Sequence, residues 1–97
     1  MTDAAMFPLE AVFRVSPGAI LSEIDGSLVM MRAGTGEFCG LEGTAEAIVR
    51  ALEVPTTFAD LLETLSQHFE GQRAEIAADT AAFLADMVAR DLLVRVD

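Results

Sequence analysis

The spacing of apolar residues changes once along this chain, near Leu41, and that change limits the folds that it can adopt. Before Leu41 apolar and polar residues alternate, which is typical of β-strands. After it apolar residues recur at intervals of three and four, which is typical of amphipathic helices. Because a small sheet and its helices must share one hydrophobic core, the pattern predicts a single α+β domain over residues 1–97 with its strands first.

The first half predicts a three-stranded antiparallel sheet. Residues 19–25 alternate and end in Asp25-Gly26, a dipeptide favoured in two-residue hairpin turns because both positions need a positive φ. Residues 27–32 form the second predicted strand, and a glycine-containing loop leads to a short third strand at residues 37–41. Residues 1–14 are expected to be either flexible or an extra strand.

The second half predicts three helices and a short apolar tail. Pro55 ends the first helix, because the residue before a proline is pushed out of the helical region. Thr57 with Asp60 resembles a capping box that starts the second helix. The predicted helices span residues 42–52, 57–69 and 73–90, and the tail spans residues 92–96. On the third helix, the side chains expected to point inward are Ile76, Phe83, Leu84, Met87 and Val88. The tail is expected to pair as a strand or to lie over the core. Three strands followed by three helices predict a winged helix-turn-helix-like architecture.

The charge of the chain argues against DNA, the usual ligand of the winged helix-turn-helix architecture. The net charge is −10, with six Arg and no Lys. Binding to phosphates requires clustered cations, but the predicted third helix carries Glu75, Asp79 and Asp86. Nucleic acid and anionic membranes are therefore excluded as expected partners. We find no signal peptide and no apolar run of about 20 residues, so a cytoplasmic protein is expected.

Residues for catalysis or metal binding are too few to form a site. His68 and Cys39 are each the only residue of their type, which leaves catalytic triads and multi-histidine or multi-cysteine sites without members. The glycine-containing turn at residues 34–36 lies between two strands rather than before a helix, where phosphate-binding loops occur. The sequence therefore predicts neither an enzyme nor a cofactor nor a metal site.

The third predicted strand is the most informative candidate site. Residues 37–41 form an edge of the predicted sheet and contain neither Pro nor Lys, the residues that commonly protect edges. Gly40 would let another backbone approach closely. We expect this edge to accept a strand from a partner chain, so that main-chain hydrogen bonds provide affinity. The alternative is that the amino-terminal segment or the tail covers it.

Several short matches together resemble one known family over residues 15–93. They are Asp25-Gly26; Thr35-Gly36 followed by Phe38 and Leu41; Thr44-Ala45 before Ile48; Thr57 with Leu61 and Leu65; Phe69; Asp79 with Phe83-Leu84; and Leu92-Leu93. The set resembles the PqqD-like proteins, also called RiPP precursor peptide recognition elements. This chain departs from the common pattern at Glu42, Val49 and Asp91, which concerns the shape of the binding pocket more than the fold.

The resemblance implies a peptide-binding function without catalysis. Members of this family bind the leader segment of a ribosomally made precursor peptide as an added strand, and they present it to a separate modifying enzyme. The implied pairing residues are Glu37, Phe38, Cys39, Gly40 and Leu41. The implied groove residues on the third helix are Ile76, Asp79, Thr80, Phe83 and Met87, although Phe83 has an equally ordinary interpretation as a core residue.

The partner enzyme stays open at this point. The resemblance is compatible with a lasso-peptide pathway, which we favour, and a leader peptidase or cyclase would then be the partner. It is also compatible with PqqD proper in pyrroloquinoline quinone biosynthesis, with a radical SAM enzyme as partner. A structural dimerisation module, in which the chain forms a homodimer through its own sheet edge, is the alternative from another class.

Overall fold

The structure is a computed structural model, and it describes residues 7–96. Its elements in chain order are β1 (Val12–Val15), β2 (Ala19–Ile24), β3 (Ser27–Arg32), β4 (Phe38–Leu41), α1 (Gly43–Ala51), β5 (Thr56–Thr57), α2 (Phe58–His68), α3 (Arg73–Ala89) and β6 (Leu93–Arg95). The α+β class, the antiparallel sheet and the three helices are as predicted. The predicted first, second and third strands are β2, β3 and β4.

The strands β2, β3 and β4 form one antiparallel sheet in that order. The hairpin between β2 and β3 turns at Asp25 and Gly26, whose φ angles are 54° and 82°. This confirms the turn predicted from the Asp-Gly pair, because a two-residue turn of this kind needs positive φ at both positions. The pairing of Met30 with Cys39 fixes the register between β3 and β4.

A second antiparallel sheet, in the order β5-β1-β6, was not predicted as a unit. In it Phe13 pairs with Thr56 on one side and with Arg95 on the other. The extra strand expected within residues 1–14 is therefore present as β1, whereas residues 1–6 lie outside the described part. The tail pairs as a strand, β6. Within residues 7–96, both segments that were candidates to cover β4 thus pair with each other instead.

Local capping fixes the ends of two helices. The Thr57 side chain accepts a hydrogen bond of 3.0 Å from the amide of Asp60 at the start of α2, which confirms the predicted cap. At the end of α3 the amide of Asp91 donates to Val88 and the amide of Leu92 donates to Met87, both at 3.0 Å. This is a Schellman motif. Its left-handed residue is Asp91, with a φ of 62°.

The core lies between the two sheets and the three helices. Phe13 of β1, Leu28 of β3 and Leu61 of α2 are among its fully buried side chains. The α3 side chains that enter the core are Ala77, Thr80, Ala81, Leu84 and Met87. The sequence analysis expected Val88 to point inward, and this was wrong: Val88 is 36% exposed. Small alanines take its place, because α3 approaches the core closely.

No helix within the described residues is long and apolar enough to cross a membrane.

Candidate functional site

The backbone of β4 alternates between pairing with β3 and facing the open side of the sheet. The amide of Arg32 donates to the carbonyl of Glu37 at 2.7 Å, so this pair is hydrogen-bonded. Hydrogen-bonded pairs alternate along an antiparallel ladder. In the observed register the next such pairs contain Cys39 and then Leu41. The amides and carbonyls of Phe38 and Gly40 therefore point away from β3, toward the open edge.

Side chains of β4 also alternate, between the core and the outer face of the sheet. Leu41 is buried and Cys39 is half-buried, whereas Phe38 is 68% exposed. A Cβ built on Gly40 would meet no atom within 4 Å. Within residues 7–96, β3 is the only strand that pairs with β4. The edge of β4 therefore presents two donors and two acceptors with open space beside them.

The opposite edge of the same sheet, on β2, carries a charged side chain, Glu23. Glu23 lies on the inner face of β2, in the same row as Leu28 of β3. Its carboxylate accepts a hydrogen bond from Arg50 of α1, which also contacts Glu46 at 2.8 Å. The hydrogen bond to Glu23 raises the pKa of Arg50 above its ordinary value. Inward-pointing charges of this kind discourage strand addition, and the residues of β4 itself carry none.

An ion pair joins the end of α3 to the residue that precedes β4. Arg90 donates to the Glu37 carboxylate at 3.2 Å, and Asp86 lies 3.6 Å from the same guanidinium. The hydrogen bond to Glu37 raises the pKa of Arg90 above its ordinary value, despite the opposing effect of partial burial. Arg32 and Asp91 form a second ion pair at this end, at 3.1 Å. Together these contacts hold the end of α3 against the start of β4, at one end of the predicted groove.

Glu37, the first of the predicted pairing residues, lies immediately before β4, and its carbonyl accepts the hydrogen bond from Arg32. Its amide donates to the Thr35 hydroxyl at 3.2 Å, which makes it part of the turn that precedes β4. Its side chain reaches across to Arg90. Glu37 therefore lies at one end of the predicted groove.

Two cavities lie where α1 begins, against α3, and neither is lined by a residue of β4. The smaller one, about 130 Å³, has a mainly apolar lining that includes Ala45, Ile48 and Phe83. The larger one, about 270 Å³, lies between the end of α2 and the first half of α3. Both cavities are lined by Thr44, Asp79 and Thr80.

Four of the five predicted α3 residues line these cavities: Ile76, Asp79, Thr80 and Phe83. Phe83 is half-buried, so it contacts the core and lines the smaller cavity at once. Met87, the fifth, is 1% exposed and lies in the core, because its position on the helix turns it away from the groove. Thr44 and Arg90 also lie in this region and were not predicted as site residues. Thr44 is part of one of the short matches that carry the family resemblance, but no pattern in the neighbouring residues indicates that it faces α3.

The described residues contain no group of three or more His, Cys, Asp or Glu side chains placed to hold a metal ion. His68 is exposed at the end of α2. The chemistry that this region offers is that of backbone hydrogen bonds, apolar contacts and carboxylate charge.

These features define a winged helix-turn-helix-like α+β domain with one open sheet edge. The chain belongs to the PqqD family: the family described as coenzyme PQQ synthesis protein D (PqqD) matches residues 27–93. This match confirms the resemblance drawn from the sequence. No curated protein matches the chain.

Two solved structures share the fold. One is described as lasso peptide synthetase B1 complexed with the leader peptide; it is 26% identical, with a TM-score of 0.75, over 84% of this chain and 96% of that chain. The other is described as TbiB1 in complex with the TbiA(beta) leader peptide; it is 21% identical, with a TM-score of 0.76, over 82% of this chain and 93% of that chain. At this lower identity, the second likeness concerns the fold alone.

Proposed function

We propose that this chain binds the leader segment of a ribosomally made precursor peptide as a strand added to β4, and that it does no chemistry itself. The observation that carries the proposal is the open edge of β4, where the backbone groups of Phe38 and Gly40 point away from β3. An added strand would satisfy those groups, and its side chains would enter the apolar cavity at Phe83.

The pathway that we propose is of the lasso-peptide type. In support, the lasso peptide synthetase B1 structure matches over 96% of its own length and contains a leader peptide. The alternative is PqqD proper in pyrroloquinoline quinone biosynthesis, which the description of the matching family supports. A leader peptidase or cyclase is the partner in the first case, and a radical SAM enzyme is the partner in the second.

We propose the outer face of the β2-β3-β4 sheet as the surface that contacts the modifying enzyme. Ile20, Met31 and Phe38 pair across the three strands and form one row on this face, in which Ile20 is 47% exposed. Because this row lies on the face rather than at the edge, it stays open when a leader strand is added. A net charge of −10 disfavours a second copy as the occupant and favours an enzyme with a basic rim.

Amide hydrogen exchange tests the proposal residue by residue. The probe is the synthetic leader of the precursor gene that neighbours the gene of this chain. Binding should protect the amides of Phe38 and Gly40, because these point to the open edge. It should change those of Cys39 and Leu41 little, because they already pair with β3. Uniform protection along β4, or protection confined to β2, would contradict strand addition at this edge.

The enzyme contact has its own test. Replacing Ile20 with Ser should slow processing of the precursor by the partner enzyme while leaving leader affinity unchanged, since Ile20 lies on β2, away from the groove. Equal processing by the variant and the wild type would exclude this face as the enzyme contact. Comparing a leader peptidase with a radical SAM enzyme as the added partner separates the two pathways.

A further inference from the structure

The larger cavity at the start of α3 has a lining of two opposite kinds. Leu65, Phe69 and Ile76 provide an apolar wall. Carboxylates make up much of the rest of the lining: Glu70, Glu75 and Asp79. An apolar wall beside several negative charges is complementary to a ligand that has a hydrocarbon stem and a cationic end.

These three carboxylates are without counter-charges in the part of the chain that the structure describes. The nearby guanidinium of Arg73 is directed to Glu63 instead, at 3.5 Å. None of the ion pairs within residues 7–96 includes Glu70, Glu75 or Asp79. Glu75 and Asp79 are also four residues apart on one helix, an arrangement in which like charges repel. A bound cation would relieve that repulsion.

Thr80 supplies an independent sign of a missing ligand. Its side chain is 1% exposed, and its Oγ1 has no hydrogen-bond partner among the described residues. Buried hydroxyls without a partner are uncommon in folded proteins and destabilise them. Thr80 lines both cavities. A polar group that enters the larger cavity would bring the hydroxyl a partner.

We propose that the larger cavity binds a Lys or Arg side chain of the bound leader. This inference rests on the proposed function and adds the class of residue that the leader must carry. The aliphatic part of the side chain would lie along Phe69 and Ile76, and its cation would face Glu75 and Asp79. A metal ion is a poorer occupant, because the carboxylates of the described residues do not converge into a metal-binding group.

The position of the cavity also limits where the basic residue lies in the leader. Thr44, which lines the cavity, follows the last residue of β4, Leu41, by three positions. The basic residue should therefore lie outside the part of the leader that pairs with Phe38 and Gly40, on the side of Leu41.

The first experiment needs no leader. The probe is n-butylammonium, which has the stem and charge of a Lys side chain, and butan-1-ol is the neutral control of the same length. Backbone amide shifts are recorded during each titration. We expect n-butylammonium to shift the amides of Gly71, Ile76 and Thr80, and butan-1-ol to shift them much less. Equal shifts with both probes, or none with n-butylammonium, would overturn the proposal.

A matched pair of variants separates the cavity from the overall charge. Glu75→Gln with Asp79→Asn removes two carboxylates that line the cavity, whereas Glu10→Gln with Glu53→Gln removes two carboxylates elsewhere; all four residues are exposed. Both changes raise the net charge by two. Only the first should abolish the n-butylammonium shifts. If both variants lose them equally, the binding reflects the net charge and the proposal fails.

The second experiment uses the leader itself, with its basic residue replaced by norleucine. This replacement should weaken binding to the wild-type chain roughly fivefold or more, as expected for a partly enclosed ion pair. It should have no effect on the variant with Glu75→Gln and Asp79→Asn. A leader that protects Phe38 and Gly40 but binds both chains equally would overturn this inference and leave the proposed function standing. A leader that fails to protect them would overturn both.

Discussion

Replacing Gly40 with Pro tests the assignment of β4 as the binding edge. In the observed register the amide of Gly40 points to the open side, so a proline there removes no hydrogen bond of the sheet. Prolines are tolerated at such positions of edge strands. We therefore expect the free energy of unfolding to change by less than about 1 kcal/mol. The same change should remove one of the two donors available to a leader.

The neighbouring residue gives the opposite result. Cys39 and Met30 of β3 form a hydrogen-bonded pair in this register, so the amide of Cys39 donates to the carbonyl of Met30. Cys39→Pro would remove that bond and leave a carbonyl of Met30 without a partner, which should cost about 2–4 kcal/mol of stability. Cys39→Pro is thus a poor probe of leader binding, because it destabilises the sheet itself. Only the register between β3 and β4 shows that Gly40, and not Cys39, is the residue to replace. For a domain of this size it should lower Tm by roughly 4–8 °C per kcal/mol.

Binding is then measured with the folded variants. We expect Gly40→Pro to weaken leader binding by about 1–2 kcal/mol, or roughly five- to thirtyfold in Kd, for one lost hydrogen bond with an unpaired carbonyl on the leader. Gly40→Ala is the control, because it keeps the amide and its Cβ meets no atom within 4 Å. Calorimetric titration gives Kd, and thermal unfolding followed by circular dichroism gives stability.

Two outcomes would refute the reasoning. Wild-type affinity in a folded Gly40→Pro variant would show that leader binding does not use this edge. Equal destabilisation by Gly40→Pro and Cys39→Pro would show that the alternation of hydrogen bonds along β4 is wrong.

Three further predictions concern stability and are measured by urea unfolding. Thr57→Ala removes the cap of α2 and should destabilise by about 1 kcal/mol; leader affinity should stay unchanged. Arg90→Gln breaks the ion pair to Glu37, and because both side chains are about one third exposed or more, the loss should stay below about 1 kcal/mol. Leu84→Ala should cost about 2–5 kcal/mol because Leu84 is fully buried, whereas Val88→Ala should cost much less; equal losses would contradict the observed face of α3.

Much of the fold follows from local pattern. The turn at Asp25-Gly26 and the cap at Thr57 are decided by residues within four positions of each other, so the sequence predicts them correctly. The face of α3 was predicted less well, because Ala77 and Ala81 are as compatible with a surface as with a tightly packed core. An alanine-rich helix has a weak apolar stripe, and packing then decides which side is buried.

In the candidate site too, some features are predicted from the sequence and others depend on tertiary contacts. Phe38, Cys39, Gly40 and Leu41 are identified from an unprotected strand at the edge of a predicted meander. Which of their amides face outward depends on the register with β3, since a shift of one residue would exchange the two sets. The place of Glu37 depends on Arg90, a residue 53 positions away in the chain.

The sequence by itself determined the three helices, the three strands of the β2-β3-β4 sheet and their order, the hairpin turn and the third predicted strand without Pro or Lys. These properties depend on neighbouring residues, on composition or on period. The tertiary structure decided that β1 pairs with β6, that an ion pair joins the end of α3 to the residue before β4, and that uncompensated carboxylates line a cavity with Thr80. Such contacts join segments far apart in the chain, and their energies depend on how whole surfaces pack rather than on any local pattern.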